Sequence, residues 1–289
     1  MISLLMEPFA YGYMTKAMLV SSMVGGLCAF LSAYLMLKGW SLIGDALSHS
    51  VVPGVAGAYI LGLPFAVGAF LAGGLAAMVM LFLTERSGLK TDVIIGMIFT
   101  SFFGLGLFMV SLNPMAISVE TIIMGNILAI TPEDTLQLVL IGGVSITVLL
   151  AKWKDLLVVF FDEHHARSIG LYPLRLKVMF FAILSAAVVA AMQTVGAFLV
   201  IALVVTPGAT AYLLADRFDR LLILSVLIGV TTSFLGAYAS YFLDGATGGV
   251  IVTLQLLIFI TVFFLAPKHG RLAHLRLAKS TPSATGEVE

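Results

Sequence analysis

Apolar residues run almost without interruption along this chain, and the polar ones fall in short clusters between the runs. A helix needs roughly 20 apolar residues to cross a bilayer. Runs of that order occupy positions 16–37, 43–62, 64–84, 92–112, 133–151, 175–193, 195–215, 221–243 and 247–267. A spanning segment must be a helix or a strand of a closed barrel, because lipid leaves exposed backbone groups unsatisfied, and the short alternating strands of a barrel do not occur here. The pattern predicts an all-α integral membrane protein, a polytopic bundle of about nine transmembrane helices. Pro53 and Pro207 interrupt two of the runs. Either run is then a broken or re-entrant segment, which leaves eight spans as the other count.

Composition agrees: 61% of the 289 residues are hydrophobic, 10% are charged, and the mean hydropathy is +1.12. Soluble domains carry about 25% charged residues. Lys38, "TERSGLK" (84–90), "KWKD" (152–155), "HHARSIGLYPLRLK" (164–177), "DRFDR" (216–220) and a basic tail from Lys268 to Lys279 occupy alternate connections. The connections near 62–64, 113–134, 193–194 and 244–248 contain no Lys or Arg. Basic loops stay inside, so nine spans put the N-terminus outside and the C-terminus in the cytoplasm. One membrane domain covers 1–279, and the polar "STPSATGEVE" (280–289) is expected to be a disordered cytoplasmic tail. The N-terminus lacks the basic opening and short apolar core of a cleavable signal. The single Cys28 offers neither a disulfide framework nor a thiolate metal site.

Against this background "GDALSHS" (44–50) stands out. Asp45 and His49 are four apart, so a helix places them on one face, about 5–6 Å apart at Cβ. An ionisable residue inside a span costs roughly 2.5–3.5 kcal/mol on insertion scales and marks a functional site by default. A carboxylate oxygen and an imidazole nitrogen suit Mn²⁺, Fe²⁺ or Zn²⁺. Two ligands are too few for a stable site, whereas two copies of the chain would supply two Asp and two His. The alternative is an Asp–His hydrogen bond that merely holds a helix contact, and spacing alone leaves both readings open. Depth is open too: a straight helix from Leu42 puts Asp45 one turn from the cytoplasmic end, and a bend at Pro53 puts it nearer the middle.

The cytoplasmic stretch "FDEHHARSIGLYP" (161–173) predicts a helix of about two turns. Asp162 reads as its N-cap, Glu163 as a first-turn acid and Gly170 as the C′ residue, and Pro173 forbids continuation. It is too polar for lipid and reads as a docking surface for a cytoplasmic partner. His164 and His165 point to different sides of such a helix, which disfavours a metal cluster. The chain holds no G-x-x-x-x-G-K-[ST] phosphate loop, no H-E-x-x-H and no Gly-x-Ser-x-Gly. It therefore encodes neither its own energy source nor an obvious enzyme.

"LKGWSLIGDALSHSVVPGVAGAYILGLP" (37–64), "TDVIIGMIFTSFFGLGL" (91–107), "FDEHHARSIGL" (161–171) and "VGAFLVIALVVTPGATAYLLA" (195–215) resemble the metal-ion permease family of bacterial ABC importers, over about residues 8–267. The resemblance implies a multi-pass subunit of the bacterial inner membrane, paired with a second copy of itself. A cytoplasmic ABC ATPase dimer and an extracytoplasmic metal-binding protein would complete the complex, with no nucleic acid and no tightly bound cofactor. By the same resemblance the metal residues fall on Asp45 and His49. The coupling helix that docks into the ATPase falls on 162–171, with Asp162, Glu163, Arg167, Gly170 and Leu171. "HARSIGL" (165–171) and "ETIIMGNILAI" (120–130) look like the manganese/iron branch rather than the zinc branch, so Mn²⁺ is the favoured cargo, with Zn²⁺ or Fe²⁺ behind it. A proton-coupled secondary metal transporter is the rival from another class; it would need no docking helix and more intramembrane acids.

Overall fold

The computed structural model describes residues 2–112 and 131–266. The polar tail and the 120–130 motif lie outside them. The described residues form twelve helices: α1 Ile2–Ala10, α2 Gly12–Lys38, α3 Ile43–Ser50, α4 Val52–Leu61, α5 Phe65–Arg86, α6 Thr91–Leu112, α7 Pro132–Phe161, α8 Glu163–Ser168, α9 Pro173–Val195, α10 Ala197–Leu214, α11 Phe218–Leu243 and α12 Thr247–Leu265. Eight of them (α2, α5, α6, α7, α9, α10, α11 and α12) are long and apolar enough to cross a membrane unaided.

The ninth crossing is the broken pair α3–α4. Pro53 has no N–H, so the carbonyl of His49 loses the partner it would have four residues on. The helix parts at Val51 into pieces of 8 and 10 residues. The pair nevertheless runs on through the membrane, parallel to α6. Ile43 lines a small cavity with Thr91 and Ile95, His49 meets Phe99 and Phe103, Val52 lies against Gly106, and Met109 reaches Gly57. The contacts climb both segments together, so α3–α4 is a full crossing of about 28 Å at 1.5 Å per residue. Among the described residues this makes nine spans. Pro207 behaves differently, and α10 stays continuous past it.

Most predicted limits fall within a few residues of the helices. The exception is 133–151, which continues as helix to Phe161. Lys152, Lys154 and Asp155 mark where α7 leaves the bilayer, and its last turns stand in the cytoplasm. At the opposite end of the bundle Phe9 packs on Tyr238 and Tyr11 on Tyr241, with ring centroids 6.0 and 5.9 Å apart. These aromatic residues occupy the interfacial depth where Tyr is favoured.

Helix α2 is the buried axis and is held by close contacts. A Cβ on Gly25 would lie 2.5 Å from the Gly229 carbonyl oxygen of α11, and one on Gly208 of α10 would lie 2.4 Å from Ser32 Oγ. The α4–α5 hairpin is as tight, with a Cβ on Gly54 falling 2.1 Å from the Gly68 carbonyl oxygen. Small residues allow this backbone approach where no hydrophobic force drives helix association in lipid.

Gly54→Val should force α4 and α5 apart at a cost of about 1–3 kcal/mol, whereas Gly74, with nothing within 4 Å of its would-be Cβ, should accept Ala without loss. Thermal melting in detergent checks this, with a lowered midpoint expected only for the Gly54 variant.

Candidate metal passage site and coupling helix

Asp45 and His49 lie on one face of α3, with His49 Nε2 3.4 Å from Asp45 Oδ1. That is longer than a good N–H···O hydrogen bond, about 2.7–3.2 Å. It equals the bite of a tetrahedral ion with both donors at about 2.1 Å, roughly 3.4 Å by trigonometry. The pair can take an ion with little movement. Ser48 and Ser50 are occupied elsewhere: their hydroxyls donate to the carbonyls of Gly44 (2.9 Å) and Ala46 (2.6 Å) on their own helix. Among the described residues no group of three or more His, Cys, Asp and Glu side chains could hold a metal. As a metal site, Asp45 and His49 would offer two donors per chain.

The neighbours of α3 fix the depth that the sequence left open. The His49 ring sits edge-on to Phe99 and Phe103, with centroids 5.2 and 5.4 Å away. These two phenylalanines stack on one another near the middle of α6. Val51 meets Gly73 in mid-α5, and Gly44 meets Val204 in mid-α10. The His49 ring is thus level with the middle of α6, and Asp45 lies one helical turn nearer the Thr91 end, where Ile43 lines a cavity with Thr91 and Ile95. Asp45 is 43% exposed and His49 23%. The carboxylate is left open by the chain's own helices.

On the cytoplasmic side α8 forms as its sequence predicts. Asp162 Oδ1 accepts the backbone N–H groups of His164 (2.9 Å) and His165 (3.0 Å). The His165 N–H is the main reason its carboxyl is held below the usual carboxylate range. Gly170 adopts φ 83°. Its N–H bonds the Arg167 carbonyl, and the Leu171 N–H reaches back to Ala166, which closes the helix in a Schellman motif. Ala166 is buried, while Phe161, Ile169, Tyr172 and Leu174, beside α8, are exposed apolar side chains.

A family model described as the ABC 3 transport family matches residues 10–266. The chain belongs to that family. It is 65% identical over 273 residues, 94% of this chain and 93% of the relative, to the Yersinia pestis chelated iron transport system membrane protein YfeC. It is 44% identical over 282 residues, 96% of this chain and 91% of the relative, to the Synechocystis manganese transport system membrane protein MntB. The solved structure titled PsaBC from Streptococcus pneumoniae in complex with Fab superposes with a TM-score of 0.82 at 33% identity, covering 96% of this chain and all of that one. This is an ABC-type metal-ion permease subunit, distinct from the ATPase and multi-pass in the bacterial inner membrane. The proton-coupled alternative falls with that membership.

Sequence reasoning missed Phe99 and Phe103, although their i, i+4 spacing in "FTSFF" was the available signal. It also read Glu85 and Lys177 only as loop charges.

Replacing Phe103 by Ala should free the His49 ring and lower metal uptake several-fold without abolishing it. Gly170→Val, at a φ that costs a β-branched residue about 1–2 kcal/mol, should reduce co-purification of the ATPase and leave membrane insertion intact.

Proposed function

We propose that the permease passes Mn²⁺ between the Asp45–His49 pairs of two facing copies of the chain. A separate cytoplasmic ABC ATPase dimer docks on α8, and an extracytoplasmic metal-binding protein delivers the ion. The observation that carries this is a carboxylate and an imidazole set at a metal's bite, on the broken crossing α3–α4, on a face left open by the single chain. A second copy laid on that face would cover Asp45 and double the ligand set to two oxygens and two nitrogens. The docking reading rests on the exposed apolar side chains around α8, on its capped and closed geometry, and on the absence of a nucleotide phosphate loop from the sequence. Asp162 sets the start of α8, Gly170 and Leu171 its end, and Glu163 and Arg167 its charged side.

The ion preference follows from the donor set. Affinity of an N/O site rises from Mn²⁺ towards Cu²⁺, so a site tight enough to hold Mn²⁺ firmly would trap Zn²⁺. A conducting site must also release its ion. Sparse O/N ligation therefore suits Mn²⁺, with Zn²⁺ dwelling longer and blocking. Fe²⁺, Mn²⁺'s neighbour in that order, is the second reading, favoured by the chelated iron transport system to which the Yersinia pestis relative belongs by name.

Asp45→Asn and His49→Ala should each abolish Mn²⁺ uptake in a strain lacking its own importers, while the permease still inserts and retains its ATPase. Uptake at the wild-type rate in both variants would make the pair structural. In vesicles carrying the assembled transporter, Mn²⁺ should turn over faster than Zn²⁺, and added Zn²⁺ should slow Mn²⁺. The reverse order moves the chain to the zinc branch.

A further inference from the structure

Lys177 is the one charged side chain that the fold buries among the described residues, at 4% exposure. It stands near the start of α9, and its Nζ pairs with carboxylates from two other elements. One is Glu85 in the last turn of α5, and the other is Glu163, the first residue of α8. Glu163 also lies 3.8 Å from Arg167, one turn further along α8. Two acids and two bases thus close a balanced cluster across three elements. Helix α5 is in turn packed along the metal-bearing segment, Gly73 against Val51 and Gly68 against Gly54. Val51 is two residues from His49.

We propose that Lys177 is a positioning residue for transport, the joint that passes movement of α8 to α5 and through α5 to Asp45 and His49. This rests on the reading of α8 as the ATPase docking helix. Apolar helix faces can slide over one another, but pulling either carboxylate from a buried ammonium leaves a charge unpaired, so the joint resists separation in every direction. Between Glu85 and Gly73 lie about 18 Å of continuous helix, stiff enough to carry a displacement from one end to the other. Two links that α8 would otherwise lack follow: one to α5, and through it one to the ion.

The test uses the full-length permease assembled with its ATPase subunits and binding protein in vesicles, with Mn²⁺ uptake and ATP hydrolysis read in the same sample. Glu85→Gln cuts the link to α5 and leaves the Lys177–Glu163 pair in place. We expect ATP hydrolysis within two-fold of the unaltered protein and Mn²⁺ moved per ATP lowered at least ten-fold, with Glu85→Asp recovering most of the loss. Lys177→Met leaves two carboxylates facing each other and lowers stability as well, so it is read by the same ratio in the fraction that assembles, and the ratio should again fall. An unchanged ratio in Glu85→Gln overturns the joint while the docking reading stands. Failure of the unaltered permease to retain its ATPase overturns both.

Discussion

A backbone carbonyl in the hydrocarbon interior can bond only to protein, and the two prolines inside this bundle answer that constraint in opposite ways. Pro207 takes the helical partner from the Leu203 carbonyl, yet α10 does not part. Ser32 of α2 stands beside the disturbed turn, accepting the Gly208 N–H at 3.1 Å and donating to the Val205 carbonyl at 3.2 Å. The hydroxyl thus bonds backbone groups on either side of Pro207, and Gly208 lets α2 come close enough to deliver it. Pro53 takes the partner from His49, and there the helix breaks. The break therefore falls beside His49, one of the two side chains proposed to meet the ion. Irregular backbone at this depth is tolerated where it is buried in protein or lines a watery path, and the segment after His49 is covered by α5 and α6.

The position of α3 follows from its neighbours. Stacked phenylalanines of α6 fix the imidazole by its edges, and glycines at 44 and 73 let α10 and α5 close on the same short helix. Three elements thus hold a segment too short to be stable alone. What they leave uncovered is the face bearing Asp45. Rigidity on one side and an open carboxylate on the other are what a half-site needs, since the ligand must be held in place yet remain reachable from a facing chain.

The outline of this fold was legible because apolar runs of bilayer length and one-sided basic loops each have a single physical solution. The capped helix α8 was equally legible, since Asp162, Gly170 and Pro173 act on their own local backbone. Three things were not. The depth of Asp45 depends on which residues of α5, α6 and α10 stand beside it, and those lie up to 160 positions away in sequence. How each helix passes its proline is not local either: Ser32 of α2 bonds the turn around Pro207 and α10 continues, whereas α3–α4 parts before Pro53. Lys177 looks like any other lysine in a basic loop until Glu85 arrives from 92 residues upstream.

The site proposed above, made from two open half-sites, would have a property that a closed four-ligand site lacks. Within one chain the Asp–His bite is fixed by a single turn of helix, so no domain movement changes it. The ligand count does change, because it depends on how closely two chains stand. In the proposed pairing an ion would meet four donors with the chains together and two with the chains apart. Each donor lost weakens binding, so separation alone takes the site from holding the ion to releasing it. The conformation of α3 does not have to alter. The work of ATP then needs only to set the distance between two stiff bodies, which long helices held by glycine contacts and buried charge are well built to transmit.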